Sequence, residues 1–114
     1  MQEKRKLQRR HLIYYLRVFD RNTVNLIGHL VDITPEGVMV ISENPIETGI
    51  TFQMRMILPK EIFKKEQITF EAISKWSDKD VNPSFYDTGF QLLDISDENR
   101  SIIAQLIDDF GFND

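Results

Sequence analysis

The chain is predicted to be mainly β, a small six-stranded antiparallel barrel with a C-terminal α-helix. Three observations predict it. Residues 51–58 alternate, with Phe52, Met54, Met56 and Leu58 on one side and Gln53 and Arg55 on the other, which is the period of a half-buried strand. Further short apolar runs recur along the chain with hairpin-like connections between them. Sustained helical spacing of apolar residues follows Ser96. A barrel built this way removes exposed sheet edges and leaves its rim for function.

Taken in order, residues 11–19 are apolar, β-branched or aromatic apart from Arg17, and read as a first strand or as a short helix continuing the segment before it. Residues 20–23, Asp-Arg-Asn-Thr, form a turn by composition. A second strand covers 24–33, and Gly28 within it marks a bulge or sharp bend. The chain then corners through 32–37, Asp-Ile-Thr-Pro-Glu-Gly. Pro35 suits the second position of a type I turn, and Gly37 can take positive φ after it. A third strand over 38–42 completes a hairpin with the second. The loop 42–49 carries Asn44-Pro45 and ends at Gly49. The alternating strand 51–58 stops at Pro59, and 60–67 is a polar connection. Residues 68–76 resume the alternation, with Ile68, Phe70, Ala72 and Ser74 against Thr69, Glu71, Ile73 and Lys75. After a loop over 77–84, a last strand spans 85–95 with Gly89 as another bend. Ser96 is placed as a helix N-cap with Asp97 and Glu98 in the first turn. Ile102, Ile103, Leu106, Ile107 and Phe110 share one face of that helix, suited to closing one end of a barrel, and Gly111 stands where a C-terminal cap belongs.

Composition narrows the function classes. The 114 residues suit one domain, and the 41% hydrophobic and 28% charged fractions are those of an ordinary globular protein. No apolar run approaches the ~20 residues of a membrane span, and 12–16 is too short and too soon interrupted by Arg17 to be a secretory core. Without cysteine there is no disulfide, thiol nucleophile or thiolate metal site. A cytoplasmic location without membrane insertion fits these features. The net charge of −4 conceals an asymmetry: residues 4–10 hold five cations and no anion, whereas 11–114 hold nine Lys/Arg against seventeen Asp/Glu. The division predicts a flexible basic arm, 1–10, ahead of a barrel domain, 11–114. So acidic a body argues against a nucleic-acid binder, which spreads basic charge over a face. A small anion held by the arm is compatible.

Catalysis has little support. His11 and His29 are the only histidines and neither has a carboxylate arranged as in a metal triad; no serine lies in a nucleophile elbow; Asp108-Asp109 is a solvated helix end; and no Gly-rich phosphate loop is present. The expectation is a non-enzyme without metal or cofactor.

What remains is Arg5-x-x-x-Arg9, followed by Asp32-x-Thr34-x-x-Gly37. Two arginines four apart converge on one anion, and a guanidinium grips phosphate bidentately, stacks on a base, or forks onto the O6 and N7 acceptors of guanine. Asp32 can accept from guanine N1–H and its 2-amino group, Thr34 can donate or accept, and Gly37 lets backbone approach. Together they describe a guanine-nucleotide pocket at the mouth of a barrel.

On these residues the chain resembles the PilZ domain family, bacterial receptors for cyclic di-GMP. The resemblance covers nearly the whole chain: the RxxxR segment (Arg5, Arg9), a form of the [D/N]xSxxG segment (Asp32, Thr34, Gly37), a strand ending in Trp76, the run Gly89-Phe90-Gln91 and a C-terminal helix. It implies that the arginine arm folds over cyclic di-GMP, with Arg5 and Arg9 on phosphates and guanine edges, Arg10 and Lys4 as auxiliary charge, and Asp32, Thr34 and Gly37 seating a guanine. It also implies a protein partner in motility, adhesion or secretion. Thr34 stands where serine is usual, and Arg9 is followed by Arg10-His11-Leu12, so Lys6 and Arg10 form a competing pair at the same spacing. Two readings follow: a cyclic di-GMP sensor that signals to a partner protein, and a degenerate adaptor that binds protein without nucleotide.

Overall fold

A computed structural model describes residues 16–60 and 62–110. Six strands and one helix follow in order: β1 Arg17–Asp20, β2 Leu26–Thr34, β3 Gly37–Ser42, β4 Thr51–Ile57, β5 Gln67–Lys79, β6 Tyr86–Leu93 and α1 Asp97–Phe110. All neighbours pair antiparallel, in the closed order β1-β2-β3-β6-β5-β4. Closure leaves no strand edge unpaired. Part of the expected first strand, 11–15, lies outside the described residues, as do the arm 1–10 and Gly111.

The alternation works as expected. Val18, Leu30, Val40, Met54, Met56 and Ala72 have no exposed surface, and together they are inward positions of β1 to β5. At ~1.5–3 kcal/mol for fully burying one large aliphatic side chain, these inner faces hold the barrel together. α1 adds Ile103, Leu106 and Ile107 to the same core. Its start is fixed twice: Ser96 Oγ accepts the Asn99 N–H at 3.1 Å, and the Asn99 side-chain amide donates to the Thr69 carbonyl at 2.7 Å. The helix therefore plugs the end of the barrel where β2 stops and β5 starts.

Three register shifts bend the sheet. One falls between Val18 and Phe19, opposite Gly28 and Leu26, where Gly28 had marked a bulge. A second falls at Val31, and the third lies between Ser74 and Trp76. Several expected boundaries move. The second strand starts at Leu26 rather than 24, because Asp20 N–H donates to the Asn25 carbonyl at 3.0 Å and extends the turn. β5 continues to Lys79, past the expected end at 76, since Asp78 and Lys79 still pair with Asp87 and Tyr86 and the Ser77 and Thr88 hydroxyls meet at 2.9 Å. β6 is correspondingly Tyr86–Leu93 rather than 85–95.

Candidate functional site

The 32–37 corner is the β2–β3 hairpin turn, with Thr34 paired to Gly37. Thr34 Oγ1 accepts the N–H groups of Glu36 (3.3 Å) and Gly37 (3.1 Å), so the hydroxyl holds the turn in shape. One oxygen of Asp32 accepts the Ile33 N–H at 2.9 Å, and its other oxygen has no partner among the described residues. Gly37 does not use the positive φ open to it; among the described residues Gly49 is the glycine that does. Gly37 is required instead because β6 crosses close by, and a Cβ there would lie 2.5 Å from the Phe90 carbonyl oxygen. The Leu92 N–H donates to the Glu36 carbonyl at 2.8 Å, so the turn is braced from the same side.

Pairing of β3 with β6, and of β6 with β5, brings distant residues to the corner. Gly37 lies opposite Gln91, and Gly89 lies opposite Trp76. A cleft of about 380 Å³ opens between them, bounded by Asp32 and Thr34 on one side and Lys75, Trp76, Gly89 and Gln91 on the other. That volume lies within the ~300–1,000 Å³ usual for small-molecule sites. Trp76 was not expected in the site, and continuing the alternation of Phe70, Ala72 and Ser74 sends it into the core. The extra residue at Lys75 reverses the parity, so Lys75 and Trp76 both face out. The indole lies against Gly89, where a Cβ would collide with its ring atoms, and 42% of the side chain's residue surface stays exposed. The cleft thus has a carboxylate, a hydroxyl-braced turn, an aromatic plane and a lysine. It can hold a planar base bearing N–H donors and an attached anionic group.

The structure brings Asp32, Thr34 and Gly37 together. Arg5, Arg9 and Arg10 lie outside the described residues, but the point where the chain joins the barrel is described. The Leu30 N–H donates to the Leu16 carbonyl at 2.7 Å, one step beyond the Arg17–His29 pair and two residues from Asp32 along β2. Among the described residues no group of three His, Asp or Glu could hold a metal ion, and no helix is long and apolar enough to cross a membrane. His29 lies half-buried in β2 between Arg17 and Ile41, while Asp108 and Asp109 are exposed on α1.

The fold is thus a closed barrel that carries a polar, aromatic cleft on its rim. The PilZ domain family matches residues 3–109, and the chain belongs to that family, whose members are receptors for cyclic di-GMP, a ligand and not a cofactor, and act as binding and adaptor domains rather than enzymes. Among solved structures, the chain is similar to the Bacillus subtilis inhibitor of motility (MotI/DgrA), at 16% identity and a TM-score of 0.64. The match covers 86% of this chain and 46% of that one, so the chain spans less than half of its length, and at this identity the likeness is one of fold. No curated protein sequence matches the chain.

Proposed function

We propose that this chain is a cytoplasmic, non-enzymatic cyclic di-GMP sensor, in which a basic arm over residues 1–10 closes on the barrel and changes the surface offered to a partner protein in motility, adhesion or secretion. The observation carrying this reading is the cleft itself: Asp32 and the Thr34-braced turn face Trp76 across it, close to where the chain carrying Arg5, Arg9 and Arg10 joins the barrel at Leu16. Asp32 accepts from a guanine edge, Trp76 stacks on the base, and the arginines hold the phosphates. Gly37 acts by letting β6 brace the turn. Arginine contacts of ~1.5–3 kcal/mol each make the arm the main source of affinity.

Calorimetric titration of the chain with cyclic di-GMP tests the proposal. Saturable heat is expected, and Arg9→Ala weakens binding about 10- to 150-fold. Trp76→Ala costs a comparable or smaller factor, from ~1–3 kcal/mol of lost stacking. Absence of heat from the unaltered chain overturns the sensor reading. An unchanged affinity in Arg9→Ala transfers the anion site to Lys6 and Arg10.

One observation favours the adaptor reading. The turn is satisfied without a ligand, since the Thr34 oxygen is already occupied by two N–H groups. That reading predicts equal recovery of a partner with and without cyclic di-GMP.

A further inference from the structure

The end of the barrel away from α1 is ringed by three loops, the turns after β1, β3 and β5. Among the described residues nothing covers it. A groove of about 520 Å³ runs into this mouth, with walls formed by Leu26, Ile27, Pro45, Ile46, Phe52 and Phe85. Leu26 is 48% exposed, an apolar side chain left facing water at the groove wall.

The groove is built rather than accidental. Ser74, fully buried, donates its hydroxyl to the Glu47 carbonyl at 2.7 Å and accepts the Ile50 N–H at 3.2 Å. The Gly49 N–H donates to the Ser74 carbonyl at 2.6 Å, and Ser42 Oγ donates to the Asn44 carbonyl at 2.8 Å. The β3–β4 loop is thereby pinned to β5 along its length. A wall fixed in advance spares a ligand the cost of ordering it.

Charge selects the occupant. Glu43 and Glu47 line the groove, and the three loops with their flanking strand ends (20–25, 42–50 and 77–87) carry six acids and two bases. Asp78 pairs directly across from Asp87, beside Asp80. Burial, and then the hydrogen bond and charge of Asp80, push the Asp87 carboxyl up to about 6. Two copies meeting mouth to mouth would set these acids against each other.

We propose that this mouth docks a short apolar segment of a partner protein, flanked by lysine or arginine, whose apolar residues enter between Ile27, Ile46 and Phe85 while its cations meet Glu43 and Glu47. The site lies at the opposite end from the Asp32–Gly37 turn and does not depend on nucleotide binding.

Selection of a displayed random-peptide library on the full chain tests this. Enriched peptides are expected to carry an apolar core with flanking lysine or arginine, and to shift the amide resonances of Ile27, Ile46 and Phe85. The double variant Glu43→Lys/Glu47→Lys weakens them about tenfold or more while cyclic di-GMP titration is unchanged. No enrichment, acidic consensus peptides, shifts centred on Asp32 and Gly37, or undiminished binding to the double variant each overturn the proposal. Concentration-dependent dimerisation burying the same residues also overturns it, assigning the mouth to a second copy.

Discussion

At one end of the barrel, α1 drives Ile103, Leu106 and Ile107 into the core beside the Asp32–Gly37 turn; at the other, three loops surround a mouth held in shape by serine hydroxyls. The strands between are the same, so the two ends differ only in how they are finished. The helix end draws its stability from apolar burial, which lets its rim carry polar groups. The open end keeps its shape through hydrogen bonds and leaves its apolar surface unspent. As proposed above, a small anion is accordingly assigned to one end and a protein segment to the other.

The sharpest test of that contrast is to remove apolar volume from each end. Leu106→Ala, at a site with no exposure, is expected to cost ~2–5 kcal/mol in chemical denaturation. Ile46→Ala, at the half-buried mouth, is expected to cost about 1 kcal/mol. Equal losses would mean that the mouth is as much a part of the core as the plug. Next in size is Gly89→Ala, which forces the Trp76 indole away from β6 and should cost ~1–3 kcal/mol. Trp76 fluorescence should change with it. A variant with unaltered emission and stability would show that the indole is not seated on Gly89.

The smallest effect concerns the acids of the open end. Asp87 in the fold titrates near 6, above its ordinary 3.8, so the folded chain holds that proton more tightly than the unfolded chain. Stability from this group is complete below about pH 4 and is lost as pH rises through 6. Asp80, held below its ordinary value first by the Asn82 N–H and then by Asp87, offsets part of it. Asp87→Asn should therefore raise the melting temperature by a few degrees above about pH 7 and leave it unchanged near pH 4. The opposite trend would mean that Asp87 gains a cation in the folded chain.

Much of the fold was legible because its signals are local. The period-two pattern of Phe52, Met54, Met56 and Leu58 marks β4, and Ser96 caps α1 as its position foretold. The 32–37 turn was legible for the same reason, since Pro35 and the Thr34 hydroxyl act within four residues. What escaped depends on partners far along the chain. Trp76 reaches the site only because one extra residue in β5 reverses the parity against β6. Gly37 reads locally as a residue that can take positive φ, whereas its constraint is β6 passing overhead. Ser77–Lys79 is strand through its pairing with β6, and its polar side chains carry no periodic apolar mark. The mouth gathers three loops that no window of sequence contains together.

β1 is only four residues long, yet it closes the ring, bonded to β2 on one side and β4 on the other. It is also the first strand after Leu16. Any pull on the chain ahead of it is borne by this seam, at the joint with the fewest rungs. A tug that frees Arg17–Asp20 would open the cylinder along its length, so the fold places its weakest weld where a lever would be attached.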